Sequence, residues 1–122
     1  MSSALEWLQA HAKADFCYLT TVGRRTGRPH TIEIWFGVEG ERLFLLAGGR
    51  HASDWVRNLC VQPQVAVRMG DEVRSALAAP VEPDTDDDAL ARRLLVGKYQ
   101  SAEENLDDWG RRALPVVITF GG

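Results

Sequence analysis

The loop at residues 23–29 has the strongest chemical character in the chain. It holds two glycines, a threonine, a proline and three arginines: Gly23, Arg24, Arg25, Thr26, Gly27, Arg28 and Pro29. Guanidinium groups donate paired hydrogen bonds whose geometry matches phosphate and carboxylate, and glycines let a loop expose its backbone N–H groups at low steric cost. The loop is therefore predicted to bind an anion, although the formal net charge of the whole chain is −3. The alternative is an ordinary solvated hairpin tip.

A second anion-binding corner is predicted at residues 48–54. Gly48 and Gly49 end an apolar run, and Ser53 is placed to cap a helix over residues 54–62. The free N–H groups and the dipole at such a helix start favour negative charge. The two corners together could hold one elongated anion. A histidine flanks each of them: His30 and His51.

The strands that must position these corners follow from the apolar periodicity. Six runs rich in β-branched and aromatic residues predict six strands, at residues 16–22, 31–38, 42–47, 65–69, 73–81 and 115–120. The first two form a hairpin whose loop is the arginine-rich segment. Ile32, Ile34 and Phe36 share one face of the second strand and are predicted to face the core. The third strand is apolar almost throughout, so we expect cover on both of its faces.

Capping residues predict four helices around these strands. They are a helix over residues 4–13 with the capping pair Ser3 and Glu6, the helix over residues 54–62, a helix from Thr85 to Gly97 with an acidic first turn, and a short helix after Ser101 and Glu104 that carries Leu106 and Trp109. The predicted fold class is mainly β with peripheral helices (α+β), as a six-stranded antiparallel barrel. The chain is expected to be one domain over residues 1–122, with the barrel from about residue 16 to about residue 120.

Composition narrows the classes of function. A chain of 122 residues with 45% hydrophobic and 25% charged residues is long enough for one globular core. The net negative charge argues against a nucleic-acid-binding barrel and against anionic lipid, and no apolar run is long enough to span a bilayer. Cys17 and Cys60 have no metal-type spacing, and no metal site is predicted. We interpret both as buried thiols of a soluble protein in a reducing cytoplasm.

Three stretches resemble one known family. They are LTTVGRRTGRPHTIEIWF at residues 19–36, LFLLAGGRHASDWVRNL at residues 43–59 with QPQVAV after it, and WGRRALPVVI at residues 109–118. In order and spacing they are similar to the deazaflavin-dependent nitroreductase family, small split-barrel proteins of FMN-binding-like fold that use coenzyme F420. The resemblance covers most of residues 19–118.

The resemblance implies roles for particular residues. The cofactor's phosphate and acidic tail would be held by Arg24, Arg25, Thr26, Gly27, Arg28 and Pro29, and further cofactor contacts would come from Ala47, Gly48, Gly49, Arg50, Trp55 and Asn58. Trp55 could equally be a core anchor. The proton would come from solvent or from a side chain such as Tyr99, which stands alone where the family has a cluster of tyrosines before the final tryptophan. Glu33 stands where characterised members have an asparagine-proline pattern, so it is either a surface or dimer-interface carboxylate or a contact to cofactor or substrate.

The expected activity is hydride transfer between F420 and a small electrophile such as a quinone, an enone or a nitro compound. An FMN-dependent oxidoreductase of the same fold is the nearest alternative. A module that binds a flavin, a haem or a lipid without turnover is another. The resemblance also implies a homodimer, and no nucleic-acid or membrane partner is expected.

Overall fold

The computed structural model describes residues 3–101 and 105–121 and contains seven strands and four α-helices. The strands are β1 Cys17–Val22, β2 Pro29–Ile34, β3 Gly37–Glu39, β4 Arg42–Ala47, β5 Gln64–Met69, β6 Glu72–Pro80 and β7 Leu114–Thr119. The helices are α1 Ala4–His11, α2 Asp54–Val61, α3 Asp86–Tyr99 and α4 Asp107–Arg112, and a 3-10 turn Arg50–Ala52 precedes α2. The fold is mainly β with peripheral helices, as predicted.

All seven strands join one antiparallel sheet in the order β2-β1-β5-β6-β7-β4-β3. The edge strands β2 and β3 are consecutive in the chain and are separated only by Trp35 and Phe36. In a flat sheet, six spacings of about 4.8 Å would put these edges roughly 29 Å apart, whereas the link from Ile34 to Gly37 reaches at most about 11 Å. The sheet therefore curls into a half-barrel.

The predicted count of six strands is wrong, because the run at residues 31–38 is two strands. The Phe36 backbone N–H donates to the hydroxyl of Tyr99 at 3.1 Å instead of to a neighbouring strand. Gly37 then passes so close to α3 that a Cβ would lie 3.0 Å from the Leu94 side chain. The chain thus leaves β1 after Ile34 and joins β4 from Gly37. A contact with a distant helix breaks a run that is continuous in sequence.

The predicted hairpin at the arginine loop is confirmed. β1 and β2 pair from Cys17 with Ile34 to Val22 with Pro29, so the loop between them comprises residues 23–28. The chain also turns at Gly40 and Gly70, each with a φ of 60°. Only glycine adopts this left-handed backbone at low cost.

The helix starts were predicted better than the helix ends. Ser3 and Thr85 accept hydrogen bonds from the Glu6 and Asp88 backbone N–H groups, both at 3.2 Å, so both caps are confirmed. However, α1 ends at His11 and not at residue 13, and α3 runs through Gly97 to Tyr99. The last turn of α3 is retained because its lysine and tyrosine hydrogen-bond to Phe36.

Of the other two predicted caps, one is not found and one involves a residue outside the described ranges. Ser53 occupies the N-cap position of α2, but its hydroxyl makes no capping hydrogen bond. The last helix begins at Asp107, with Leu106 as its N-cap residue and Trp109 within it. The predicted cap for that helix paired Ser101 with Glu104, which lies outside the described residues.

The main core lies inside the curl of the sheet. Its largest fully buried side chains include Leu8, Leu19, Phe36, Leu43, Leu45, Leu59, Val67 and Ile118. A second cluster lies outside β4, under α3, and contains Phe44, Leu46, Ala91, Leu95 and Ala113. β4 therefore supplies alternate residues to two cores and is buried on both faces, as predicted. Ile32 and Ile34 pack against the main core, which also confirms the predicted inner face of β2.

The two cysteines differ in exposure. Cys17 on β1 is buried, whereas Cys60 on α2 is exposed, so the prediction of two buried thiols is wrong for Cys60. The reason is helical periodicity: α2 turns Val56 and Leu59 inward and leaves Cys60 on its solvent face. No helix in the described part of the chain is long and apolar enough to cross a bilayer.

Candidate functional site

A cavity of about 470 Å³ lies between the β1–β2 loop, β2 and α2. We call it the arginine cavity. It is lined by Thr21, Gly23, Arg24, Arg25, Thr26, His30, Thr31, Ile32, Asp54, Trp55 and Asn58. The hairpin presents the loop at one end of β1, and α2 closes the other side because Trp55 and Asn58 lie on its sheet-facing side. Five residues expected to contact a cofactor therefore meet in one place: Arg24, Arg25, Thr26, Trp55 and Asn58.

Asn58 connects the arginine loop to the body of the protein. Its side chain is 4% exposed, and its Oδ1 accepts hydrogen bonds from the Arg24 backbone N–H at 3.2 Å and from Arg24 Nη1 at 2.9 Å. Its Nδ2 donates to Thr21 Oγ1 at 3.2 Å, and Thr21 is itself buried. Buried polar groups are costly unless they are paired. This network therefore holds the start of the loop against α2.

Arg25 provides an exposed cation at the cavity. Its side chain makes no hydrogen bond or ion pair with any residue in the described ranges. Arg24 is different, because its Nη2 also lies 3.3 Å from Asp54 Oδ1. The Asp54 side chain is 85% exposed, so solvent screens this pair and it adds little to stability. Two guanidiniums and one imidazole face one carboxylate, which favours an anionic ligand.

Glycine is required at the base of the loop. A Cβ on Gly23 would lie 2.6 Å from the ring of His30 and 2.9 Å from Thr26 Oγ1. The loop is closed by hydrogen bonds of 2.8 Å from the Gly23 N–H to the Arg28 carbonyl and from the Gly27 N–H to the Gly23 carbonyl. The absence of a side chain at Gly23 thus lets the imidazole and the hydroxyl converge on the cavity.

The other predicted cofactor residues lie outside the lining of this cavity. Gly27 and Arg28 lie at the exposed tip of the hairpin, and Pro29 is the exposed first residue of β2. Ala47 is buried, and Gly48 packs near the indole nitrogen of Trp109.

Except for Asp54, the second predicted corner also lies outside the lining of the arginine cavity. Gly49 packs against the Ser53 hydroxyl. Arg50, at a φ of 51°, donates to the Arg112 carbonyl and lines a separate cavity of about 210 Å³ with His51. His30 lines the arginine cavity and His51 does not.

Tyr99 also lies away from the arginine cavity. Its hydroxyl donates to the Asp15 carbonyl at 2.8 Å and accepts from the Phe36 N–H, and burial raises its pKa to about 12. Its ring stacks on Trp35 with 4.3 Å between centroids and 3° between planes. These contacts give the side chain a structural role at the β2–β3 link.

A second cavity of about 480 Å³ lies further along β2 and is mainly apolar. We call it the aromatic cavity. Its walls are Phe16, Glu33, Ile34, Trp35, Leu46, Leu106 and Trp109. Sequence patterns did not indicate this cavity, and they did not indicate Thr21, Thr31, Ile32 and Asp54 in the first. No local motif marks these residues, because the curl of the sheet brings them together.

No group of three or more metal-binding side chains occurs among residues 3–101 and 105–121. The fold is a small half-barrel, and the charge and hydrogen-bond donors of the arginine cavity suit an anionic group. The chain belongs to the F420H(2)-dependent quinone reductase family, whose sequence profile matches residues 5–120. It is therefore an oxidoreductase with F420 as its cofactor.

Individual proteins are similar to this chain in sequence or in fold. A quinone reductase of Mycobacterium tuberculosis named as F420H(2)-dependent is 25% identical over 103 residues, which cover 82% of this chain and 69% of that protein. The structure of an F420-H2 dependent reductase, FDR-A, is 24% identical with a TM-score of 0.68 and covers 87% of this chain and 94% of its own. The haem storage protein HutZ of Vibrio cholerae shares the fold at 21% identity, with a TM-score of 0.74 and coverage of 97% and 91%.

The residues of the arginine cavity fit the anionic part of such a cofactor. An exposed guanidinium, a second guanidinium held by Asn58, a hydroxyl and an imidazole all face one space. These are the donors that phosphate and carboxylate oxygens accept from.

Proposed function

We propose that this protein reduces quinones with F420 and that the arginine cavity holds the phosphate and acidic tail of the cofactor. Arg24 and Arg25 would supply charge, Thr26 and His30 further donors, and the Trp55 ring an apolar wall. The observation that carries the proposal is the exposed guanidinium of Arg25 beside the Asn58-anchored Arg24.

The exposed tip is the natural extension of this site. Arg28 lies beyond the cavity lining, so a long acidic tail would reach it whereas a short phosphate would not. Gly27, with a φ of 71°, sets the turn at the tip, and Pro29 starts β2. The segment from Ala47 to Arg50 remains a prediction from the resemblance.

Bound F420H2 supplies the hydride, and the protein's part is to bind, orient and exclude water. The proposed acceptors are quinones first, with enones and nitro compounds as further electrophiles. We assign no proton donor, because the Tyr99 hydroxyl already donates to a backbone carbonyl and its pKa lies far above neutrality.

A fluorescence-quench titration with F420, FMN and FAD in parallel tests the cofactor site. F420 should bind most tightly. Arg25→Ala should weaken it about tenfold, as expected for one charge-assisted contact, and the Arg24→Ala/Arg25→Ala protein should weaken it further. Arg93→Ala is the matched control, because Arg93 is exposed on α3 and far in sequence from the loop. Equal binding by the double variant and the wild-type protein would refute the proposed clamp, and preference for FMN would refute the cofactor assignment to this cavity.

Turnover separates a reductase from a cofactor carrier. Reduced F420 is mixed with 2-methyl-1,4-naphthoquinone, and its oxidation is followed with and without protein. We expect acceleration over the protein-free rate. Cofactor binding without acceleration would instead support a carrier of this fold.

We further propose a homodimer that covers an apolar part of the sheet. Val73 and Leu77 on β6 are 58% and 52% exposed, and Leu77 lines a shallow cavity with Val22 and Ala66. Exposed apolar patches of this kind mark interaction surfaces. Light scattering at micromolar concentration should give twice the chain mass, and Leu77→Arg should reduce it to one chain. A monomeric wild-type protein would contradict the proposal.

A further inference from the structure

The aromatic cavity has the form of a site for a flat ring compound. Trp35 is stacked on Tyr99, and the edge of Trp109 meets Trp35 at 90° with 5.6 Å between centroids. Tyr99 in turn is tied to the backbone of Asp15 and Phe36. The aromatic wall is thus held rigidly, and flat rings pack well against such surfaces. Its volume of about 480 Å³ is within the range of small-molecule sites.

The two cavities are lined by successive residues at β2. Thr31 and Ile32 line the arginine cavity, and the next three residues line the aromatic cavity. Since a strand rises about 3.3 Å per residue, one elongated cofactor would leave its tail in the first cavity and bring its far end to the second. A compound in the aromatic cavity would then lie next to that end.

Glu33 is the ionisable residue among the seven that line the aromatic cavity, and it is exposed there. Within the described chain its side chain accepts one hydrogen bond, from Tyr18 Oη at 3.3 Å, and forms no ion pair. Arg68, which contacts the same tyrosine, and Lys98, which contacts Phe36, are both engaged with other groups.

The first cation, Arg68, stacks over the Tyr18 ring at 4.1 Å and donates to the Gly70 carbonyl. The second, Lys98, lies over the Phe36 ring at 3.6 Å and donates to its carbonyl. The carboxylate of Glu33 is therefore not neutralised by an ion pair with any residue that the structure describes.

We propose that the aromatic cavity binds the electron acceptor and that Glu33 selects against acceptors that carry a negative charge. The substrate class is a planar, uncharged ring compound, with a neutral bicyclic quinone as the type. This inference rests on the proposed function for its catalytic meaning. The binding preference itself is a property of the cavity and can be measured without cofactor.

The test uses two redox-inert probes with the same bicyclic ring, 2-naphthol and naphthalene-2-sulfonate, at pH 7. Binding is followed in ¹⁵N spectra by the indole N–H signals of Trp35 and Trp109. The neutral probe should move both signals and bind about fivefold more tightly than the anion. This is the expected repulsion between two like charges roughly 6 Å apart. It assumes an effective dielectric constant between the value for charge pairs near a protein surface and the value for water.

Two variants isolate the charge. Glu33→Gln keeps the shape of the side chain and should bring the two affinities to within about twofold of each other. Glu41→Gln removes the same charge from an exposed turn outside the cavity and should leave the ratio unchanged. Equal affinities in the wild-type protein, an unchanged ratio in Glu33→Gln, or no shift of the two indole signals would each overturn the inference.

The failure of this inference is distinguishable from failure of the proposed function. If the probes bind as expected while F420 does not bind, the cavity preference stands and the cofactor proposal fails. If F420 binds and a neutral quinone is reduced, but the probe ratio does not depend on Glu33, the proposed function stands and the selectivity inference fails.

Discussion

Replacing Asn58 by alanine should release Arg24 from its position in the proposed cofactor site. Asn58 Oδ1 holds both the backbone and the guanidinium of Arg24, and its Nδ2 holds Thr21. Alanine removes all three hydrogen bonds, and Thr21, which is 1% exposed, cannot turn to solvent. Among the described residues, the Arg24 guanidinium then keeps its longer contact with Asp54.

The structure indicates the size of the effect. A hydrogen bond to a charged group contributes about 1.5–3 kcal/mol and a neutral one about 0.5–1.5 kcal/mol. Arg24 can regain water and Asp54, which offsets part of the loss, so we expect a fall of about 2–3 kcal/mol in the free energy of unfolding. For a domain of this size that lowers Tm by about 8–12 °C. F420 affinity should fall about tenfold, because the anchored arginine becomes mobile.

Urea unfolding and the fluorescence titration measure the two effects on the same protein. Asn58→Asp is the informative companion, because its carboxylate still accepts from Arg24 while the donation to Thr21 is lost. It should retain most of the F420 affinity despite a loss of stability. An Asn58→Ala protein that binds F420 as tightly as the wild type would refute the role of Asn58 in positioning Arg24.

Three further predictions concern the supporting structure. Tyr99→Phe should lose about 1–2 kcal/mol of stability in urea unfolding but keep its quinone turnover rate within about twofold of the wild-type rate. A turnover rate lowered by about two orders of magnitude, with an altered pH profile, would instead show that Tyr99 is the proton donor. Arg92→Ala should lower the free energy of unfolding by about 2–3 kcal/mol, because the Arg92 guanidinium binds Asp88 and three carbonyls at the end of α4. The control Arg93→Ala, one position along, should change it by less than about 0.5 kcal/mol. Equal losses in the two variants would contradict the structural role of Arg92. Burial raises the pKa of Cys17 from 9.0 to about 12. This thiol therefore ionises at lower pH in the unfolded chain than in the folded one, so stability should fall as pH rises from about 9 towards 12. The difference between the urea midpoints at pH 7.5 and 10.5 should be smaller in Cys17→Ala than in the wild-type protein, and an equal difference would show that another group controls the alkaline loss of stability.

Much of the local structure could be predicted from residue types alone. Alternation of apolar residues located the hairpin, and Ser3 and Thr85 marked two helix starts, because these signals depend on neighbours within about four positions. The anion-binding character of the loop was also evident, since guanidiniums keep their charge in any fold. Features that depend on distant contacts were not predictable in this way. The run at residues 31–38 gave no sign of its break at Phe36, which a hydroxyl on α3 holds.

The division between sequence and tertiary structure is clearest at the two cavities. The amino-acid sequence by itself determined that three arginines would share one short hairpin loop. Only the folded chain decided that Asn58, 34 positions from Arg24, anchors one of them while Arg25 stays exposed at the cavity. The aromatic cavity depends on the fold still more, because its walls come from segments as far apart in sequence as Phe16, Leu46 and Trp109. Periodicity reports which face of an element is apolar, but the curl of the sheet determines which faces meet.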